Sequence, residues 1–302
     1  FDLLYNEAQI NARAERYSQA QALLREYINV QTQRRQSIND KATNAAADAS
    51  DARLLLVQIA EQQGRNDDAI AELDLIDDPS LRFQAQVHKA VLQARQGRMD
   101  QARATIAALK PQGNHEQSVV ALTLASIYRE AGRTDDAVQV LVDADKNIPN
   151  SAEVKYDLAM LYERQGKMDE FEALMKRVIE LDPNNANAYN SLGYTYADQN
   201  RNLDEAQDLL ERALDLDPDN PYILDSVGWY LFRTGDNEAA IEYLERSYRQ
   251  LPTADVAAHL GEVLWAGKRA DEARRIWREG KKQDPENETL AKTLQRLGVN
   301  LK

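Results

Sequence analysis

Apolar residues along this chain fall in short clusters spaced three and four apart, and Gly, Asn or Pro breaks the clusters at regular intervals. Leu192, Tyr196, Leu209 and Leu210 form one set, and Leu231, Ile241, Leu244 and Tyr248 form the next. Spacing of three and four puts side chains on one face of a helix, so each set predicts two amphipathic helices closing a core between them.

The breaks themselves repeat. A string Gly-x-x-x-x-Ala runs from Gly64 to Ala69, Gly97 to Ala102, Gly132 to Ala137 and Gly235 to Ala240, and related strings end at Phe171, Ala206 and Ala273. Successive end positions lie 33 to 35 residues apart, the period of an array of two-helix units. Each period reads as a helix, a Gly or Asn turn, a second helix with Asp or Glu in its first turn, and a stop at Pro149, Pro183, Pro218, Pro252 or Pro285. Ala159, Gly193, Gly228 and Gly261 on the first helices are expected to face Ala137, Ala206, Ala240 and Ala273 on the second, where larger side chains would hold the backbones apart.

These residues resemble the tetratricopeptide repeat (TPR), most fully in Tyr189, Leu192, Gly193, Tyr196, Ala206, Leu210, Ala213 and Pro218, with one extra residue near Asn200 to Asn202. The resemblance runs from about Ser50 to Pro285 and implies an all-α, right-handed superhelical solenoid with seven repeats over residues 50–287. Two positions depart from the pattern: Phe171 stands where a small residue is usual, and Gly267 is shifted relative to Ala273. Residues 1–49 read as a degenerate hairpin turning at Ala14 to Ala20, then a prolonged second helix and an exposed loop containing residues 39–41 and 44–47. Residues 288–302 read as a capping helix and tail, with Leu290, Leu294 and Leu297 on one face and a stop at Gly298. Leu3, Leu4 and Tyr5 are apolar with no polar cap before them, and the chain opens on Phe1 without a leader. The expectation is an array that continues upstream, with a signal peptide or lipid anchor removed.

Charge narrows the partners. Lys and Arg number 37 against 50 Asp and Glu, a net charge of -13, so the mean field repels phosphate backbones and anionic lipid, and nucleic acid is not expected to bind. The basic pair Arg34-Arg35 is too short to change that and reads as a solvated helix face. Without cysteine there is no disulfide or thiolate chemistry, and the composition fits the cytosol as well as an oxidising envelope. The longest apolar runs, such as Leu54 to Val57, fall far short of the roughly 18 residues of a membrane span.

Catalytic chemistry has little to work with. His88, His115 and His259 lie in different repeats, with no second His or paired carboxylate at ligand spacing, and read as surface or packing residues. No serine elbow or phosphate loop is present, and the acidic string Asp215 to Asn220 lacks the Gly and terminal Glu of a calcium loop, so helix capping accounts for it. No catalytic, cofactor or metal residue is assigned, and the chain reads as a non-enzyme.

Binding is the more productive reading. In the family the first helices line the concave face, which implies a protein-binding groove of Tyr156, Met160, Arg164, Asn187, Asn190, Tyr194, Tyr222, Asp225, Trp229, Phe232, Arg233, Glu262 and Trp265, with Glu153, Glu163, Asp198 and Asp255 beside them. Rigid rings with interspersed amides and Arg are the mixture that dominates protein-binding hot spots. The alternative, that Trp229, Phe232 and Trp265 pack between adjacent repeats, stays open at this point. The positions where the family's carboxylate-gripping members carry cations hold Tyr156, Met160, Asn190, Tyr194, Asp225, Trp229, Ala258 and Glu262. A clamp of that kind is therefore not expected, although Arg164 and Arg233 could meet an acidic partner.

The function expected is a scaffold that docks a protein or peptide along its surface. The alternatives are a structural subunit of a cell-envelope assembly or secretion complex, with homo-oligomers possible, and more distantly an accessory array of a carbohydrate transferase. A further resemblance covers about the last 80 residues. Asp225 to Leu231 and Ala257 to Trp265 look like the end of bacterial outer-membrane repeat lipoproteins that tether a periplasmic C-terminal processing protease and present substrates to it. That resemblance implies a periplasmic parent protein, anchored by a lipid, acting as an adaptor.

Overall fold

The computed structural model describes residues 2–37 and 43–302, and among them are seventeen α-helices and no strand. The helices fall into two compact units, residues 1–154 and 155–302.

The first unit contains α1 (Asp2–Arg13), α2 (Tyr17–Ser37), α3 (Thr43–Gln62), α4 (Asn66–Asp74), α5 (Pro79–Arg95), α6 (Met99–Ala107), α7 (Gly113–Glu130) and α8 (Thr134–Asn147). Ala8, Ala20, Leu24 and Tyr27 pack on Ala52, Leu56 and Ile59, so the opening hairpin and α3 share one core. Val57, Ala69, Leu73, Ile76, Ala85 and Leu92 extend the apolar packing to α4 and α5. Inside it the Glu72 side chain is 8% exposed, and Arg53 reaches it at 3.1 Å while Arg25 pairs with its other oxygen. A carboxylate this deep is tolerable because two guanidiniums replace its water.

The prolonged second helix is present as α2. The loop expected to follow it is only partly so: residues 39–41 lie outside the described residues, but Asn44 to Ala47 are helical, within the first turns of α3. The physical reason is the Ala45-Ala46-Ala47 run, among the strongest helix formers, with no Gly or Pro before Gly64.

The second unit takes up α9 (Ala152–Arg164) after its first turn and continues through α10 (Met168–Leu181), α11 (Ala186–Asp198), α12 (Leu203–Leu216), α13 (Pro221–Arg233), α14 (Asn237–Gln250), α15 (Ala254–Ala266), α16 (Ala270–Gln283) and α17 (Glu288–Leu297). Caps set the starts of the first helices. Asn185, Asn220 and Thr253 side chains accept from the backbone N–H of Ala188, Tyr222 and Val256, and Asn287 does the same for Leu290 at the start of α17. Phe171, unusual for its position, is 1% exposed and belongs to the core. The close approach of paired helices is also real: Gly228 meets Ala240 as expected, and large side chains of the second helices press on the small positions as well. A Cβ on Gly193 would press on Leu210, one on Gly228 on Leu244 and the Ala240 carbonyl, and one on Gly261 on Trp277.

Turn geometry explains two irregularities of the sequence. The extra residue in the α11–α12 turn is absorbed by two left-handed asparagines, Asn200 at φ 52° and Asn202 at φ 48°. In the α15–α16 turn the left-handed position, filled by Gly64, Gly97, Gly132, Gly166 and Gly235 in other hairpins, falls on Lys268 at φ 62° because Gly267 comes one residue early. The backbone bonds match: Lys268 N–H reaches Trp265 O as Gly64 N–H reaches Glu61 O. A side chain in that region costs about 1 kcal/mol or more, so Lys268→Gly is expected to stabilise the protein by about 0.5–1 kcal/mol even after the added chain entropy. Urea unfolding followed by Trp fluorescence checks this, and an unchanged or lower midpoint would contradict it.

Candidate functional site

The second unit contains a concave cavity of about 730 Å³ lined by residues of α9, α11, α13, α15 and α17. First helices contribute Met160, Asn190, Tyr194, Tyr222, Asp225, Trp229 and Glu262, all seven anticipated from sequence, together with Glu163, Asp198, Ser226, Asp255 and His259. A fifth wall comes from α17, whose Thr289, Lys292, Thr293 and Arg296 face the hollow while Leu290 is buried and Leu294 and Leu297 pack on the core.

Its floor is a buried polar and aromatic network. His259 is 5% exposed, and its Nδ1 donates to Asp225 at 2.9 Å while its Nε2 lies 3.2 Å from the Tyr194 hydroxyl. The imidazole stacks on Trp229 at 4.3 Å between centroids, and the Trp229 Nε1–H donates to Asp198 at 3.1 Å. Burial opposes charge on the imidazole, yet the Asp225 carboxylate beside it, with Asp198 and Glu262, raises its pKa above the ordinary value. Burial first, and then the surrounding carboxylates, push the Tyr194 hydroxyl well up. Glu163 is raised too, by desolvation against the groove walls and by Asp198, with Arg164 opposing. The cavity therefore sits in a negative local field.

Six anticipated residues lie outside this lining. Phe232 packs on Trp229 at 5.3 Å, and Trp265 packs on Trp277 at 5.7 Å with the Arg274 guanidinium 5.1 Å over the Trp265 ring, so both rings are packing residues. Trp229 is both, being 4% exposed yet part of the wall. Arg233 stays exposed, its guanidinium donating to the carbonyls of Ala197 and Asp198 at the end of α11. Tyr156, Arg164 and Asn187 are not brought into the lining. His259, read from sequence as surface or packing, is a packing residue that also joins three first helices through its two ring nitrogens and its stacked face. The α17 cations were missed as well, although Lys292 and Arg296 are spaced by four on the face opposite the Leu stripe. Arg296 pairs with Glu262 at 2.7 Å, anchoring that helix across the groove.

Sequence profiles described as "Tetratricopeptide repeat" match residues 128–193 and 231–297, and a second profile of the same description matches 54–116, 172–221 and 191–255. The chain belongs to the tetratricopeptide-repeat family. A TPR repeat-containing protein of Pseudomonas aeruginosa is 32% identical over 211 residues, 68% of this chain but 35% of that protein, so the chain spans about a third of its relative's length. Among solved structures, a TPR protein from Parabacteroides merdae superposes with a TM-score of 0.60 at 16% identity, covering 83% of this chain and 99% of that one. A thermophilic TPR protein of Thermus thermophilus gives 0.52 at 20% identity, covering 60% of this chain and all of that one. These structures share the TPR fold.

TPR hairpins hold their first helices side by side, which is why residues spaced about 34 apart in sequence, such as Tyr194, Trp229 and Glu262, recur on one surface. In this chain that surface gathers rings, amides and carboxylates. Among the described residues no three His, Asp or Glu converge as a metal site, and no helix is long and apolar enough to cross a membrane.

Proposed function

We propose that this TPR protein is an interaction scaffold whose second unit docks a polypeptide in the α9–α17 groove, and that it serves as an adaptor holding a protease together with its protein substrates. The groove carries the reading: a preformed hollow of about 730 Å³, with a floor fixed by packing and hydrogen bonds, presents Tyr222 at 61% exposure beside Met160 and Asn190. The floor of such a surface loses little entropy on binding, because Tyr194, Trp229, Asp225 and His259 are already held by hydrogen bonds and stacking. An adaptor contributes no catalytic group; binding protease and substrate on one array raises their effective mutual concentration. The resemblance of Asp225 to Leu231 and Ala257 to Trp265 to outer-membrane repeat lipoproteins favours a periplasmic C-terminal processing protease as the partner, and a periplasmic, lipid-anchored parent protein.

The test is affinity capture from envelope extract by the wild-type chain and by a Met160→Ala/Tyr222→Ala variant, with circular dichroism showing equal helicity. Loss of two contact side chains at a hot spot is worth tenfold or more in affinity, roughly 1.4 kcal/mol or above. A C-terminal processing protease or its substrates should be recovered by the wild type and lost from the variant. Equal recovery by both moves the docking surface elsewhere, and recovery of only further copies of the chain favours a structural subunit.

A further inference from the structure

The charges around the groove do not balance. Asp225 is matched by His259 and Glu262 by Arg296. Glu163, Asp198 and Asp255 line the same hollow, and no salt bridge joins any of them to a cation among the described residues; Asp198 accepts from the Trp229 ring and Asp255 from Asn287. The remaining cation of the lining, Lys292, sits at the exposed rim within 4.0 Å of Glu288. Three carboxylates thus face the cavity without an ion-pair partner, next to Tyr194, Tyr222, Trp229 and Met160. Carboxylates that ring an aromatic and thioether wall favour one kind of guest: a cationic head on an apolar stem.

A second, independent feature points to a polypeptide as the bearer of that cation. Asn190 lines the groove, and its Oδ1 has no hydrogen-bond partner and is shielded from water, so a rotation of the amide toward the hollow is what would bring this acceptor to a guest. An acceptor left this way is costly unless a donor arrives, and the N–H of an extended backbone is a donor of the right kind. A divalent metal does not fit, since no three ligating groups converge. A phosphate-bearing partner is repelled by the same carboxylates.

We propose that the groove recognises an extended peptide segment through a Lys or Arg side chain, whose cation is drawn in by the combined field of Glu163, Asp198 and Asp255, whose stem lies on Tyr222 and Met160, and whose backbone N–H is accepted by Asn190. This rests on the reading of the groove as a polypeptide-docking site and specifies its ligand class. Arg suits it better than Lys, because a planar guanidinium can stack on a ring and donate to two carboxylates at once.

The probe is a display library of random peptides about a dozen residues long, selected on the intact chain and, in parallel, on a Glu163→Gln/Asp255→Asn variant of equal helicity. Selection on the wild type should enrich peptides with Arg or Lys at one aligned position, and the variant should lose that preference. A synthetic copy of a selected peptide should bind at least tenfold more weakly when the Arg is replaced by citrulline, which keeps the shape and removes the charge. Its affinity should also fall with added salt. Enrichment of neutral or acidic peptides whose binding is lost in Tyr222→Ala would overturn the basic ligand class and leave the docking groove standing. Basic peptides that bind both proteins equally would place the cation outside the groove and overturn the assignment. Failure to enrich any sequence over the bare support would overturn the groove as a peptide site altogether.

Discussion

Replacing Gly261 by Ala is expected to destabilise the second unit by about 3 kcal/mol, although Ala is the better helix former. The added Cβ would lie 2.1 Å from Trp277 Nε1 and 2.5 Å from two ring carbons. Trp277 is fully buried, donates its indole N–H to the Ala258 carbonyl at 3.3 Å and is backed by Trp265. A rigid bicycle cannot yield by turning one torsion, so the two helices must separate or the indole must leave its bond. Overpacking costs typically 1–3 kcal/mol and a lost buried hydrogen bond about 1 kcal/mol more, while the gain in helix propensity returns at most about 1 kcal/mol. Gly193→Ala is the control, because its added Cβ would meet the Leu210 side chain at 2.8 Å and no backbone atom at short range, a flexible neighbour that can give way. All three tryptophans, Trp229, Trp265 and Trp277, lie in the second unit, so their fluorescence during urea unfolding of the whole chain reports on that unit. Equal midpoints for the two variants would show that the Trp277 slot is looser than its geometry says.

Gly261 also shows what kind of information the sequence holds. That the position must be small follows from the period alone, since Ala159, Gly193, Gly228 and Gly261 recur at it. That its neighbour is an indole does not, because the position where a second helix presses on the first is filled by Leu210 in one repeat, Leu244 in another and Trp277 in the next. Helix starts rest on local chemistry too: Asn185, Asn220, Thr253 and Asn287 cap their helices through bonds that act within three residues, although only the string Asp215 to Asn220 was read as capping from sequence. The Lys268 turn was readable only as a misplaced glycine, and which residue takes the left-handed conformation needed the backbone itself. The groove divides likewise. Periodicity brings Asn190, Tyr194, Asp225, Trp229 and Glu262 to one surface, whereas two rings expected there, Phe232 and Trp265, pack instead on Trp229 in the preceding turn of the same helix and on Trp277 in the paired helix of the same hairpin. His259 carried no local signal at all. It gains its role from Tyr194, 65 residues before it, and from Asp225, 34 residues before it.

The same histidine makes the stability of the second unit depend on pH in a direction that can be tested. With its folded pKa raised above the ordinary value of 6.5, the Asp225–His259 pair stabilises the fold fully below about pH 6.5, and that contribution is lost as pH rises through the folded value. Urea midpoints followed by Trp fluorescence are therefore expected to fall between about pH 6 and the weakly alkaline range. The groups facing the imidazole are Asp225 on α13, Asp198 and Tyr194 on α11, and Glu262 on its own helix, with Glu262 tied to Arg296 of α17. Glu163, whose carboxyl is also raised, adds a slope of the same sign at lower pH, so the histidine must be isolated by a variant. Asp225→Asn keeps the side-chain volume and removes the carboxylate that outweighs burial. It is expected to lower stability at about pH 6 by roughly 3 kcal/mol, toward the lower end of the range for breaking a buried pair because the imidazole can shed its proton. It should also flatten the dependence above that pH, since burial then opposes the charge with only Asp198 and Glu262 against it. A variant that keeps the wild-type slope would place the titrating group elsewhere, while a wild type with no slope over this range would mean that the imidazole is held in one protonation state by its stack on Trp229 and its two hydrogen bonds.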